Sequence, residues 1–243
     1  MTFQLNQTSS DPHPKVGVVV VAAGASRRMG GIDKVFLPLG GKPLIAHSLQ
    51  EFENSPVVND IVVVLSESAL DEGERMLAGL GLGKVVGVTA GGARRQDSVL
   101  KGLELLSDCD IFVIHDGARP FVNGDMIARS LEAVAETGAA TAAVPVKDTI
   151  KIVGPDMLVK STPDRAALWA AQTPQVFESR LLMEAHERVT DDATDDAGMV
   201  EALGAKVKLF MGSYENIKVT TPEDVALAEA IYGARVRLQG QRS

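Results

Sequence analysis

Val16-Gly17-Val18-Val19-Val20-Val21-Ala22-Ala23-Gly24-Ala25-Ser26-Arg27-Arg28-Met29-Gly30, followed by Lys34, is the stretch that decides the fold. Its first half is an unbroken apolar run rich in valine, the pattern of a strand buried on both faces, as parallel sheets require. The run stops in small residues, and two arginines and a lysine follow. Small residues let a backbone approach a ligand closely. Successive N–H groups in such a turn form an anion-binding concavity, and Arg and Lys add the charge that a polyphosphate calls for. The stretch therefore predicts a phosphate cradle at the carboxyl end of a first strand, where open α/β sheets bind ligands. A tight turn with solvated arginines would fit the Gly24 region taken alone. The convergence of three cations on one loop of an acidic chain favours the ligand. The spacing is neither G-x-G-x-x-G nor G-x-x-x-x-G-K-[ST], which speaks against dinucleotide and P-loop readings.

Around this strand the chain alternates. Pro43 opens a helix to about Phe52, and Ile61–Leu65 reads as a second buried strand. A helix over Ser68–Leu80, a strand over Lys84–Val88 and a helix over Arg95–Leu106 follow. Ile111–Ile114 is a fourth strand, Gly124–Glu136 a helix and Ala140–Val146 a fifth strand. This rhythm predicts an α/β fold with a doubly wound, mostly parallel sheet. From about Lys147 to Pro174 the rhythm changes. Thr149–Val153 and Met157–Lys160 flank Gly154-Pro155-Asp156, a hairpin signal with few apolar anchors, expected to project as an arm over 147–174. Alternation resumes with helices near Ser179–Val189 and Asp195–Leu203, a strand at Lys206–Met211, the strand-like Asn216–Val219 and a helix from Pro222 to about Tyr232. The expected organisation is a single domain over 15–236 that includes the arm, between a disordered tail (1–14) and a flexible tail (237–243).

With 243 residues, 45% of them hydrophobic, the chain can bury a real core. A net charge of −8 argues against nucleic-acid or anionic-membrane partners. The single cysteine, Cys109, sits among apolar neighbours and reads as packing. Four scattered histidines give no zinc-ligand spacing. Without an apolar run long enough to span a bilayer or a secretory leader, the expected location is the cytoplasm.

Chemistry gathers at strand ends. Gly91-Gly92-Ala93-Arg94-Arg95-Gln96-Asp97-Ser98 lies between a strand and a helix. Its glycines can offer backbone donors and acceptors to a flat base, with Ser98 in the helix's first turn; a solvated arginine pair is the plain alternative. His115-Asp116-Gly117-Ala118-Arg119-Pro120 ends the fourth strand, where an acid is placed to hold Mg²⁺ or a hydroxyl unless Asp116 and Arg119 merely pair with each other. His115 reads as structural. Thr149, Arg165 and Thr173-Pro174-Gln175 lie in and around the arm. Lys218, between two apolar residues, points away from them, either into a site or into solvent. Thr190-Asp191-Asp192-Ala193-Thr194-Asp195-Asp196 reads as a helix start capped by Thr194 rather than a cation site.

Taken in order, Ala22-Ala23-Gly24 with Arg28-Met29 and Lys34, Gly91-Gly92 with Arg95 and Ser98-Val99, and His115 to Pro120 resemble one family. So do Asp148 to Lys151, Trp169 through Gln175, Thr194-Asp195, and Asn216 to Thr220 with Pro222-Glu223-Asp224. The family is 2-C-methyl-D-erythritol 4-phosphate cytidylyltransferase, and the resemblance covers about Val16 to Tyr232. It implies a nucleotidyltransferase, Rossmann-like fold and transfer of CMP from CTP to the sugar-alcohol phosphate, with Mg²⁺ and release of pyrophosphate. By position, Arg28 and Lys34 match residues that stabilise the transition state. Ala22, Ala23, Gly24, Gly92, Ala93 and Ser98 match the CTP site. Asp116 matches an acid near Mg²⁺ and the acceptor, the metal being held mainly by phosphates. Arg119, Thr149, Arg165, Thr194 and Lys218 match contacts to the acceptor. Thr149 and Arg165 reach a neighbour's site in that family, which implies a homodimer through the arm. Ser26 stands where the family usually has a second loop glycine, and Ala93 where it often has a polar residue. The rivals are a cytidylyltransferase for another polyol phosphate, such as ribitol 5-phosphate, and a non-catalytic CTP-binding protein.

Overall fold

The computed structural model describes residues 14–24 and 34–240. Of the expected N-terminal tail only Pro14 falls among them, and Arg28 lies outside the described residues. The valine run forms β1 (Val16–Ala22). After residues 25–33 come a single 3-10 turn (Lys34–Phe36), the short pair β2 (Pro38–Leu39) and β3 (Lys42–Pro43), and α1 (Leu44–Asn54). The alternation continues through β4 (Asp60–Leu65), α2 (Leu70–Leu80), β5 (Val85–Ala90), α3 (Arg95–Leu103), β6 (Ile111–Asp116), α4 (Gly124–Thr137) and β7 (Ala139–Pro145). The hairpin β8 (Ile152–Val153) and β9 (Val159–Ser161) is followed by β10 (Trp169–Glu178), α5 (Ser179–Arg188), α6 (Asp196–Ala202), β11 (Lys208–Met211) and α7 (Pro222–Gly240).

Among the described residues seven strands form one sheet in the order β11-β7-β10-β6-β1-β4-β5. All neighbours are parallel except β10, which runs antiparallel between β6 and β7. Both faces of β1 are covered. Val18 and Val20 pack with Ile45, Leu49 and Phe52 of α1, Leu77 of α2 and Ile127 of α4. Val19 points the other way, to Val99 and Leu103 of α3, Leu182 of α5 and Val200 of α6. An alternating strand with apolar side chains on both faces needs helices on both sides, and the continuous valine run encodes that need. At Gly102 of α3 an added Cβ would lie 2.5 Å from a Val19 methyl, so glycine lets this helix settle directly on the sheet.

Three expectations are corrected. Trp169–Pro174, expected in the arm, lies in the first part of β10, whose Trp169–Ala171 pair with β7, so the hairpin insertion is shorter than 147–174. Pro174, which lacks an amide hydrogen, sits where the β10–β7 register shifts between Ala171 and Gln175. A proline normally disqualifies a central strand, and this irregularity is what accommodates it. Asn216–Val219 is irregular rather than a strand, tied down by Val219 N–H donating to Ala118 O at 2.9 Å. The last helix continues past Tyr232 to Gly240, into the expected tail.

Candidate active site

The strand register decides where the chemistry collects. Ala22 lies beside Leu65, Leu65 beside Ala90, and Val21 beside Asp116, so β1, β4, β5 and β6 end at one level. From β1 the chain builds outward through β4 and β5, then returns to lay β6 on the other side of β1. That reversal makes the carboxyl end of β1 a topological switch point, the ligand-binding crevice of open α/β sheets.

At this edge the β1 and β5 loops touch. A Cβ on Gly91 would collide with the Ala23 methyl and lie 2.8 Å from Ser98 Oγ. Gly91 N–H donates to Leu65 O at 2.8 Å, and Lys101 Nζ donates to Gly91 O at 3.1 Å. Ser98 Oγ accepts from Gly92 N–H (3.0 Å) and donates to Arg94 O (3.1 Å). The buried Ser98 hydroxyl thus shapes the Gly92 turn from within, while Ala93 and Gly24 are exposed and Ala22 is buried beneath them.

Asp116 is the electrostatic centre. Its Oδ2 lies 2.9 Å from Lys218 Nζ and 3.3 Å from Arg119 Nε, and its Oδ1 lies 3.7 Å from Arg95 Nε. Burial works against its charged form. Lys218, Arg95 and Arg119 together outweigh that and hold the carboxyl well below the ordinary carboxylate range. Burial likewise lowers the Arg119 guanidinium, opposed by Asp116. Lys218 therefore faces the site. The expected Asp116–Arg119 pair is real but belongs to a four-charge cluster, not an isolated surface bridge. His115, fully buried, is pushed down to about 4 by burial and stays neutral at pH 7.

The arginine pair of α3 is not simply solvated. Arg94 pairs with Asp97 at 2.7 Å and donates to Thr190 O at 2.9 Å. Arg95 Nη1 lies 2.7 Å from the buried Asp196 Oδ2. Gln96 donates to Asp191 O and accepts from Ala193 N–H. Three consecutive residues after the Gly91-Gly92 turn therefore hold the 190–196 segment, which carries the exposed Thr194. The cap of α6 is Asp195, whose Oδ1 accepts from Gly198 N–H at 2.9 Å, not Thr194 as expected. Sequence reading assigned no role to Arg95 or Asp196; their meeting spans 101 positions and leaves no local signal.

Arg165, in a 3-10 turn capped by Asp164, donates to Lys147 O at 2.7 Å, and Thr149 is exposed near the hairpin. Lys34 opens the 3-10 turn whose Val35 is locked into the core beside Ile45. Asp60, Asp108 and Cys109 lie close enough together to grip one ion, but Lys15 Nζ already sits 2.7 Å from Asp60 and 2.5 Å from Asp108. That group is at the opposite, amino end of the strands. Burial pushes the Cys109 thiol up to about 12, which suits packing and not metal binding. Among the described residues, Asp116 Oδ1 lies beyond hydrogen-bond distance from Arg95 and accepts no other hydrogen bond, so of the two oxygens it is the one that could face a cation.

Comparison with known proteins matches residues 16–234 to the family model of 2-C-methyl-D-erythritol 4-phosphate cytidylyltransferase (IspD). The chain is 49% identical over 217 residues to the 2-C-methyl-D-erythritol 4-phosphate cytidylyltransferase of Dehalococcoides mccartyi, covering 89% of this chain and 96% of that protein. It is 46% identical over 228 residues to the protein of the same name from Alkaliphilus metalliredigens, covering 91% and 94%. Among solved structures, the 4-diphosphocytidyl-2C-methyl-D-erythritol synthase of Anaerococcus prevotii superposes with a TM-score of 0.80 at 30% identity, covering 89% and 95%. The Thermus thermophilus cytidylyltransferase superposes with a TM-score of 0.72 at 36% identity, covering 88% and 96%. Fold, strand-edge geometry and sequence agree: the chain belongs to the 2-C-methyl-D-erythritol 4-phosphate cytidylyltransferase family.

Proposed function

We propose that this nucleotidyltransferase transfers CMP from CTP to 2-C-methyl-D-erythritol 4-phosphate, giving 4-diphosphocytidyl-2-C-methyl-D-erythritol and pyrophosphate for isoprenoid synthesis. The observation that carries the site assignment is the Asp116–Arg119–Lys218–Arg95 cluster on the switch-point edge, beside the Gly91-Gly92 turn. Family membership favours this acceptor over another polyol phosphate.

A phosphate monoester has its second pKa near 6, so the acceptor is largely dianionic at pH 7 and needs no general base. The chain fits that economy, because His115 is buried and both its ring nitrogens are engaged. An acceptor oxygen attacks the α-phosphorus in line; the new P–O bond forms as the bond to the bridging oxygen breaks, and pyrophosphate carries the electron pair away. What the protein supplies is positioning and positive charge. Arg28 and Lys34 neutralise the charge building at the α-phosphorus. Ala22, Ala23, Gly24, Gly92, Ala93 and Ser98 form the CTP cradle, with Ser98 acting by shaping the turn. Arg119, Lys218 and Thr194 hold the acceptor, with Thr149 and Arg165 contributed across a dimer. Mg²⁺, when bound, would neutralise the triphosphate and ease departure of pyrophosphate; it would be held mainly by the phosphates, with Asp116 Oδ1 as the protein oxygen beside it.

The unit is one domain from about residue 15 to the end of α7. It is a cytoplasmic homodimer, and among the described residues no helix is long and apolar enough to cross a membrane. The exposed Ile152, Met157, Leu158 and Val159 of the hairpin support pairing through it. The test is pyrophosphate release with CTP, UTP and ATP, each offered with methylerythritol phosphate and with ribitol 5-phosphate. Turnover with CTP and methylerythritol phosphate is expected. CTP binding without turnover under Mg²⁺, or preference for ribitol 5-phosphate, overturns the reading.

A further inference from the structure

Behind the charged face of Asp116, four residues from three distant segments close a ring of hydrogen bonds. Arg119 Nη1 donates to Asn216 O at 2.8 Å, and Asn216 Nδ2 donates to Thr173 O at 2.8 Å. Thr173 Oγ1 lies 3.0 Å from His115 Nδ1, and His115 Nε2 lies 3.0 Å from Arg119 O. Asp116 hangs from the ring, its backbone N–H donating to Thr173 Oγ1 at 3.0 Å. His115, Thr173 and Asn216 are all buried.

The proton positions follow from elementary chemistry. A carbonyl oxygen only accepts, so the bond to Arg119 O places the imidazole proton on Nε2. Nδ1 is then an acceptor, and only the Thr173 hydroxyl can donate to it. That spends the single hydroxyl proton and aligns an oxygen lone pair with the Asp116 N–H. Each donor in the relay has one acceptor, and moving the imidazole proton to Nδ1 would leave two acceptors, Nε2 and Arg119 O, face to face.

From this arrangement we infer that His115 and Thr173 are positioning residues for the transfer reaction: a directional relay, Asp116 N–H to Thr173 Oγ1–H to His115 Nδ1 and Nε2–H to Arg119 O, sets the turn that aims Asp116 and Arg119. Neither side chain is a catalytic residue, since both are buried behind the charged groups and act through the backbone of the turn. The inference rests on the proposed role of Asp116 and Arg119 at the acceptor, and it supplies a function for Thr173, on the strand where a proline follows at once. The bond spans 58 positions between His115 and Thr173, beyond any local sequence signal.

The experiment compares Thr173→Val, which keeps the shape and removes the hydroxyl, with Thr173→Ser, which restores it. Steady-state pyrophosphate release is measured for wild type and both variants. Thr173→Val is expected to lower kcat/KM for the acceptor by about tenfold or more while the KM for CTP stays within about twofold, and Thr173→Ser is expected to recover most of the loss. A merely structural threonine would lower Tm in the valine variant with kcat/KM unchanged, and that result overturns the inference. Nitrogen-15 NMR of the wild-type histidines reads the relay independently of turnover and of variant folding. A His115 ring protonated on Nε2 alone is expected, and a proton on Nδ1 overturns the relay. Wild type inactive toward methylerythritol phosphate would refute the proposed reaction, with the NMR result then deciding the relay by itself.

Discussion

Asp116→Asn is the substitution whose cost the structure defines best. It keeps the shape of a side chain only one-tenth exposed, exchanges one acceptor oxygen for a donor NH2, and removes the negative charge shared by Lys218, Arg119 and Arg95. Each such pair is worth about 4 kcal/mol of gross attraction at 4 Å and an effective dielectric of 20. Summing three gross attractions would overstate the effect, because burying the carboxylate and the guanidiniums has its own cost. Removing one partner of a buried pair costs about 3–5 kcal/mol in practice. Lys218 is 39% exposed and screened by water, which pulls the expectation toward the low end, about 3 kcal/mol. For a chain of this size that is a fall in Tm of about 6–12 °C, readable by calorimetry at pH 7. The pH dependence carries the sign. The folded carboxyl titrates below the ordinary range, so its contribution is fully present above about pH 4 and drains away as pH falls toward the folded value. Wild type should therefore lose part of its advantage over the variant in strong acid. A variant within about 1 °C of wild type, which is under about 0.5 kcal/mol for a chain of this size, would show that the four charges do not depend on one another, and the account of the cluster would fail.

Lys34→Ala is expected to lower kcat by about 100–1000-fold with folding intact, measured by pyrophosphate release; near-normal turnover removes Lys34 from the chemistry. Gly91→Val places methyls against Ala23 and Ser98, so it should raise the KM for CTP and cost about 1–3 kcal/mol of stability, read by kinetics and urea denaturation together. Cys109, buried and with its thiol pushed up to about 12, should resist a thiol reagent at pH 8 until the chain unfolds; rapid stoichiometric labelling of native protein contradicts its placement. Ile152→Asp with Leu158→Asp should shift the sedimentation of the protein toward monomer if the hairpin joins two copies, and unchanged sedimentation excludes that interface.

Much of this molecule was legible along the chain because local pattern reports burial. Unbroken apolar runs marked the two-sided strands β1, β4 and β6, and turn residues marked the β8–β9 hairpin. The loops after β1, β5 and β6 were found from small residues and charges at strand ends. β10 was hidden, since Thr173-Pro174-Gln175 reads as a loop wherever it stands, and a strand containing proline is admitted only by the irregular pairing with β7. Asp195 took the cap expected of Thr194, because Asp and Thr serve that position nearly alike and only geometry separates them.

The sequence by itself determined the α/β alternation, the parallel core, the sheet edge where glycines and charges gather and, through resemblance, the family. Tertiary structure decided which charges meet there. Arg95, Asp116, Arg119 and Lys218 come from three separate segments, and Asp196 and Thr173 from two more, joined by strand order rather than by spacing. Periodicity and composition record how each residue prefers to be solvated. Which carboxylate a given guanidinium reaches depends on crossovers that bring strands side by side, and that information resides in the packed whole.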